Sequence, residues 1–312
     1  MDLRQLNAVL AVVDHGGFSA AARALHTVQS NVSTHVARLE KELGVTLIDR
    51  GTGQVTEEGA VVVERARRIQ AELDALAADV ASVRDEVAGA GRIGLIGTTA
   101  RWLVLALVET MVQRHPLVRV VVHDATTSAL QLQLDSGAID MAVLSLPVHD
   151  PEFVTEPLFD EDRLLIVPPG HPFFGHERIA LADLDGQPLL LEPHGRPFRA
   201  QLEAMFAERG YELVPKAEVD GTRLMASLAF QGFGAAIVPA SAVPVWLGGD
   251  WRTIPITGLA GRSVGLATRR QGLLSAPARA LRDVLRQVIA ERAPHQPGIH
   301  PVRDTEPATG NP

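Results

Sequence analysis

The sequence predicts two classes of structure in one chain: an all-α head leading into a long helix, then an α/β domain around a mainly parallel sheet. Three observations carry that reading. Apolar residues recur at three- and four-residue steps as far as Leu43, a heptad pattern runs from Val62 to Val87, and beyond Gly89-Ala90-Gly91 short apolar runs alternate with helical stretches. The 312 residues, 46% hydrophobic and 21% charged, are ordinary for about two soluble domains.

Leu3, Leu6, Leu10 and Val13 form one face of a first short helix, which Gly16-Gly17 ends. Ser19 stands as the N-cap of a second, through Ala20-Ala21-Ala22-Arg23-Ala24-Leu25, whose small side chains allow close packing. A third runs from about Gln29 to Leu43, with Val32, Val36, Leu39 and Leu43 as its buried stripe and Gly44 as its stop. Its other face carries Gln29, Ser30, Asn31, Ser33, Thr34 and Arg38. Two helices joined by a tight turn, the second with polar side chains at its N-terminal end, can enter a DNA major groove. There Gln and Asn pair with adenine, and Ser or Thr contacts base or phosphate. Another three-helix bundle would show the same periodicity.

The particular residues go further. Met1-Asp2-Leu3-Arg4-Gln5-Leu6, Gly17-Phe18-Ser19-Ala20-Ala21-Ala22, Leu25-His26, Gln29, Val32-Ser33, Leu39-Glu40, Leu43-Gly44-Val45, Leu47, Asp49-Arg50 and Thr56-Glu57-Glu58-Gly59 together resemble the winged helix-turn-helix of LysR-type transcriptional regulators. The resemblance implies that Gln29, Ser30, Asn31, Ser33 and Thr34 read the groove, that Arg4, Arg50 and Thr56 contact phosphates, and that Phe18, Leu25, Val32 and Leu39 are core. Val28, Ser30 and Thr34 depart from the residues usual in the family. The wing, Gly51-Thr52-Gly53-Gln54-Val55-Thr56, is short and lacks basic residues, which leaves more of the reading to the third helix.

Apart from Gly59, the stretch Glu58 to Ala88 holds no Gly or Pro, and Val62, Ala66, Ile69, Leu73, Leu76, Val80, Val83 and Val87 repeat in 4,3 alternation. That seam predicts a dimerising coiled coil over 59–88; the alternative is one amphipathic helix docked on its own chain. Two copies of a reading helix suit a pseudo-palindromic site.

Past the glycines, Arg92–Gly97 reads as a strand. Further strands are expected at Val118–Val122, Met141–Leu144, Leu164–Val167, Leu189–Leu191, Ala217–Val219, Ala235–Val238 and Val264–Thr268. Helices are expected at Arg101–Arg114, Ser128–Ser136, Phe198–Arg209, Thr222–Gln231 and Ala276–Arg292. The resemblance implies an effector domain over 89–293 in two lobes, like a periplasmic binding protein, with lobe I at 92–162 and 268–292 and lobe II at 163–267. The head is then 1–58, and the proline-rich stretch 294–312 is expected to be disordered.

In such folds ligands bind at the carboxyl ends of strands, beside helix N-termini. Thr98-Thr99 and Thr126-Thr127 occupy two such junctions and could cradle a small anion, although ordinary N-caps would look the same. Arg196, in the turn-rich loop 192–198, and Asp220 are the candidates from lobe II; Arg196 could equally be a solvated surface residue. Arg101 and Trp102 beside Thr99 could add a charge and an aromatic wall.

Other classes find little support. With no cysteine, there is no thiol nucleophile, Cys-ligated metal or disulfide. No Gly-x-Ser-x-Gly, His-Glu-x-x-His or Walker pattern occurs, Gly232-Phe233-Gly234 follows a helix rather than a strand, and His171 and His176 sit in an irregular loop. No catalytic residue, metal or cofactor is expected. No signal-peptide pattern or 18-residue apolar run is present, so the expected location is the cytoplasm, away from membranes. The net charge of −8 speaks against DNA at first sight. Residues 1–70, however, carry eight basic and eight acidic side chains, so the acidity lies in the rest of the chain. The expected partners are double-stranded DNA, a small anionic effector, and a second copy of the chain in a homodimer or homotetramer, with RNA polymerase as a further candidate. The alternative is a small-molecule-binding module whose N-terminal helices serve oligomerisation.

Overall fold

The computed structural model describes residues 1–83 and 86–302. The head is built from α1 (Leu3–His15), α2 (Phe18–Ala24) and α3 (Gln29–Leu43), followed by a wing and α4 (Glu57–Ser82). Asp2 caps α1 in a reciprocal box with Gln5, and Gly16 and Gly44 close α1 and α3 in the left-handed conformation that glycine adopts at little cost. Leu6, Val9, Val12, Ala21, Val32, Val36 and Leu39 form one core with Leu47 and Ile48 of the wing and Val63 and Ala66 of α4. The wing closes through a single antiparallel bridge, Ile48 to Val55.

Several expectations change here. Gly17, not Ser19, is the N-cap of α2; Ser19 lies inside the helix and donates to Gln29 Oε1 at 3.0 Å. Phe18 is partly buried against the core, whereas Leu3, Leu25 and Leu43 are exposed. Leu3 and Leu43 are the end residues of their helices and Leu25 is the C-cap of a seven-residue one, so they project past the volume that the three helices enclose. Helix α4 ends at Ser82 rather than near Ala88, and Val87 precedes the next strand; residues 84 and 85 of the expected coiled coil lie outside the described residues. Val62 and Ala66 face the head core, while Ile69, Leu73, Leu76 and Val80 are exposed along the seam.

The second unit comprises β1 (Gly89–Ile96), α5 (Gly97–Arg114), β2 (Val118–Ala125), α6 (Thr127–Asp135), β3 (Met141–Ser145), β4 (Phe153–Glu161), β5 (Arg163–Val167) and β6 (Ile179–Ala180). It continues with β7 (Pro188–Leu191), α7 (Pro197–Arg209), β8 (Val214–Glu218), α8 (Thr222–Phe230), β9 (Ala235–Pro239), β10 (Arg252–Thr257), β11 (Arg262–Arg269), α9 (Ala276–Arg292) and β12 (Ile299–Pro301). Two six-stranded sheets result, in the orders β12-β4-β11-β3-β1-β2 and β6-β10-β5-β9-β7-β8. This is the expected two-lobed α/β architecture, each lobe with its own sheet.

The chain crosses into lobe II at Asp162, between β4 and β5, and returns before β11. Lobe I therefore resumes at Arg262, not 268, because all of β11 pairs with β3 and β4. The glycines at 89–91 lie inside β1, where Gly91 lets Leu281 and Pro277 of α9 approach. Strand β4 escapes a reading by alternation because its burial is irregular and a bulge opposes Val264 and Gly265. The 294–312 segment is not structureless throughout: β12 pairs antiparallel with β4, and buried Gln296 donates to the Ala240 and Val243 carbonyls at 3.3 and 2.8 Å. Residues 303–312 lie outside the described residues.

The join between wing and α4 depends on Gly59, where a Cβ would stand 2.1 Å from the Leu47 carbonyl oxygen. Gly59→Ala should therefore destabilise the head by about 3 kcal/mol, since backbone has to move to admit the methyl group. A thermal melt followed by circular dichroism checks it; an unchanged transition would mean that the wing is not seated on α4.

Candidate functional site

On the head, Gln29, Ser30, Asn31 and Thr34 are exposed along the first turns of α3, and Ser33 is half-buried. Their orientation follows from the opposite face, where Val32, Val36 and Leu39 are locked into the core. Asn31 Nδ2 donates to Thr27 Oγ1 at 3.0 Å, and Thr34 Oγ1 donates to the Ser30 carbonyl at 2.7 Å. Val28 occupies the N-cap with no side-chain cap bond, leaving the first N–H groups of α3 open to an acceptor.

Arg4 and Arg50 are exposed; Arg50 lies 3.8 Å from Glu40 and 6.0 Å above the Phe18 ring. Thr56 differs from the expectation in one respect. Its hydroxyl donates to the Thr46 carbonyl at 2.6 Å and accepts from Gly59 N at 2.9 Å, so its proton is already engaged within the fold. Asp49 organises the wing: the N–H groups of Gly51 and Thr52 hold its carboxyl below the usual carboxylate range.

In the second unit Thr98 and Thr99 lie in the first turn of α5, which begins at Gly97 rather than Arg101. Thr98 Oγ1 accepts from Arg262 Nη2 at 2.7 Å. Arg262 also donates to Glu161 Oε1 at 2.7 Å, and the second Glu161 oxygen accepts from Ser241 N at 2.8 Å. Glu161 is 1% exposed and Thr99 0%; among the described residues the Thr99 and Ser241 hydroxyls have no hydrogen-bond partner. Such buried, unsatisfied groups cost about 1–3 kcal/mol each, a debt that a ligand or an ordered water would relieve.

Arg101 reaches the Ala242 carbonyl at 3.4 Å; burial, and secondarily Arg223, lower its pKa. Arg223 of α8 pairs with Asp124 of β2 at 2.5 Å, spanning the two lobes. Trp102 is core, edge-on to Phe159 at 5.3 Å.

At the other junction Thr126 Oγ1 accepts from Ala129 N at 3.4 Å, as an N-cap does, and Thr127 Oγ1 accepts from Ser145 N at 3.4 Å. Arg196 and Asp220 are brought together, but by each other: both carboxylate oxygens accept from Arg196 Nη2, at 2.6 and 2.5 Å. Sequence reasoning missed Glu161, Arg262, Arg223 and Ser241. No motif marks them; they converge only because the chain crosses twice between lobes. His171 and His176 both pack against the Phe173 ring, at 5.3 and 5.5 Å. Among the described residues no helix is long and apolar enough to cross a membrane.

A DNA-entering helix on a compact head and a two-lobed α/β ligand domain together define a one-component regulator. Comparison with known proteins gives the family. The model for the bacterial regulatory helix-turn-helix protein, lysR family, matches residues 3–60, and that for the LysR substrate binding domain matches 84–290. The chain belongs to the LysR family: it is a DNA-binding transcriptional regulator with an effector-binding domain. It is 35% identical over 298 residues to a probable hydrogen peroxide-inducible genes activator of Mycobacterium leprae (strain TN), covering 91% of this chain and 93% of that one. It is 31% identical over 246 residues to the DNA-binding transcriptional dual regulator OxyR of Escherichia coli (strain K12), covering 78% and 81%. These relatives are regulators rather than enzymes. In fold it is similar to a full-length OxyR of Pseudomonas aeruginosa that carries a cysteine-to-aspartate substitution, with a TM-score of 0.74, 24% identity, and 98% and 99% of the two chains covered.

Removing Arg262 would leave the Glu161 carboxylate buried without its cation. Arg262→Met should cost about 3–5 kcal/mol of stability, and adding Glu161→Gln should recover part of it. A double-mutant cycle by urea unfolding measures the coupling; strictly additive effects would show that the pair is not coupled.

Proposed function

We propose that this chain reads pseudo-palindromic promoter DNA as a homodimer or homotetramer and responds to a small anionic effector held reversibly between the lobes of its effector domain. Gln29, Ser30, Asn31, Ser33 and Thr34 read base edges, and Arg4 and Arg50 position the head on phosphates. Thr56 supports the wing and contributes to DNA contact only through it. The exposed seam of α4 meets a second copy. We assign the boundaries 1–56 to the head, 57–82 to the dimerising helix, and 89–302 to the effector domain. The protein works in the cytoplasm and catalyses no reaction.

The observation that carries the effector reading is the Thr99 hydroxyl, wholly buried without a partner in the first turn of α5, beside Thr98 and the Arg262 guanidinium. A helix N-terminus flanked by cations favours an anion. Arg196 and Asp220 neutralise each other, so they act as a loop clasp in the absence of ligand and reach an effector only if that pair opens. The Arg223–Asp124 pair links the two lobes. An effector that binds more tightly to one lobe arrangement shifts the population by that difference in affinity, and the paired heads then engage DNA differently.

The Mycobacterium leprae relative is a probable activator of hydrogen peroxide-inducible genes, yet these 312 residues contain no cysteine. The reversible route from peroxide through a sulfenic acid to a disulfide needs a cysteine thiolate. That route is closed to this chain, which favours a reversibly bound effector.

Three outcomes are expected. In gel shifts with DNA from upstream of its own coding region, the protein should bind selectively; Asn31→Ala or Ser33→Ala should reduce discrimination by about 1–3 kcal/mol, and Arg50→Ala should weaken specific and random DNA alike. Folded dimer without selective binding would defeat the DNA reading. Hydrogen peroxide should leave DNA affinity unchanged. In a thermal-shift screen of carboxylate metabolites, Thr99→Val should remove the stabilisation by the active compound without altering basal DNA binding; a variant that still responds fully would remove Thr99 from the site.

A further inference from the structure

Arg163, the first residue of β5, has an unusual environment. Its guanidinium lies 3.4 Å from the centroid of the Phe198 ring, and its Nε is sealed from solvent with no acceptor. Among the described residues it makes no ion pair. Burial first, and then the neighbouring Arg262, lower its pKa to about 10, against the opposing pull of Glu161 and Glu192. The Phe198 face offsets part of the cost of desolvating this cation, and an anion would offset more.

Beside it is a cavity of about 140 Å³, lined by Asp162, Arg163, Arg178, Thr257 and the apolar Ile256 and Leu259. Sheet register builds it. Pro255 lies opposite Leu164 and Ile256 opposite Ile179, which gathers the starts of β5 and β6 around the end of β10. Arg178, just ahead of β6, is exposed and has no hydrogen bond or ion pair among the described residues. The carboxylate of the group, Asp162, lies 3.1 Å from His300 Nε2, an ion pair when that imidazole is protonated. Two guanidiniums without an ion pair among the described residues thus line a cavity that holds a single carboxylate.

We propose that this cavity is a second anion site, separate from the cleft threonines, and that it takes a compact monocarboxylate, its charge on Arg163 and Arg178 and its short tail on Ile256 and Leu259. Size and charge set the class. The cavity is small and partly open to solvent, which suits a short carboxylate. Asp162 disfavours a dianion, the apolar wall suits a hydrocarbon tail, and guanidinium forks match a carboxylate. Located where the chain passes between lobes, an occupied site would bias their arrangement independently of the cleft effector.

The test is calorimetric titration and thermal shift of the full-length protein with propionate, using inorganic phosphate as comparator. Propionate should raise the melting temperature and bind more tightly than phosphate. Arg178→Gln, a surface change, should weaken propionate about tenfold while leaving the unliganded melting temperature unchanged. Arg163→Met should abolish the propionate response, because it removes one of the two cations of the site. Thr99→Val, which disables the cleft, should leave propionate binding intact, so this proposal and the cleft reading can fail separately. No propionate binding, tighter binding of phosphate, wild-type affinity in Arg178→Gln, or loss of binding in Thr99→Val would each overturn it.

Discussion

The effector domain depends on one buried carboxylate. Glu161 ends β4 at the first crossing between lobes, and its two oxygens hold the other elements that meet there: Arg262, where the chain returns into β11, and the backbone of Ser241, where β9 gives way to a 3-10 turn. Arg262 in turn reaches Thr98 at the start of α5. A charge so fully desolvated is tolerated only when every lone pair has a directed donor. Its stability therefore requires that both crossings and the start of α5 keep one mutual geometry. The C-terminal segment adds to this constraint, with β12 beside β4 and Gln296 bonded to the turn at 240–243.

Charge follows the same economy on the head. Eight basic and eight acidic residues leave residues 1–70 neutral, and the wing has no cation of its own. A neutral head supplies little net attraction for phosphates, and linking several heads raises avidity without any new contact. Glu40 illustrates why some acids are retained near the DNA face: its Oε1 accepts from Leu47 N and Ile48 N at 2.9 and 3.3 Å, seating the strand that leads into the wing.

Much of this organisation was legible in the sequence, and what was illegible has a common cause. The core faces of α1 and α3, both glycine caps, the heptad seam and most strands of the effector domain follow from periodicity, because burial of one face imposes a repeat on the residues that line it. The errors fall at ends and edges. Leu25 and Leu43 fit the repeat but project beyond the core; α4 stops at Ser82 although the apolar spacing continues to Val87; β4 and β12 lack alternation because a bulge or short length interrupts it; and β10 alternates in burial but carries a proline, which speaks against a strand.

The division is clearest at the candidate sites. Sequence alone determined the class of protein, the polar face of the reading helix and the threonines at the two strand-to-helix junctions, since each is a local pattern whose chemistry is written in consecutive residues. Only the tertiary structure decided that Arg196 is spent on Asp220, that Arg262 bridges Thr98 and the buried Glu161, and that Arg163 stacks on Phe198. Those are pairings between residues 24 to 164 positions apart, and the energy of a charge is set by what surrounds it in space. Distance along the chain carries no record of that.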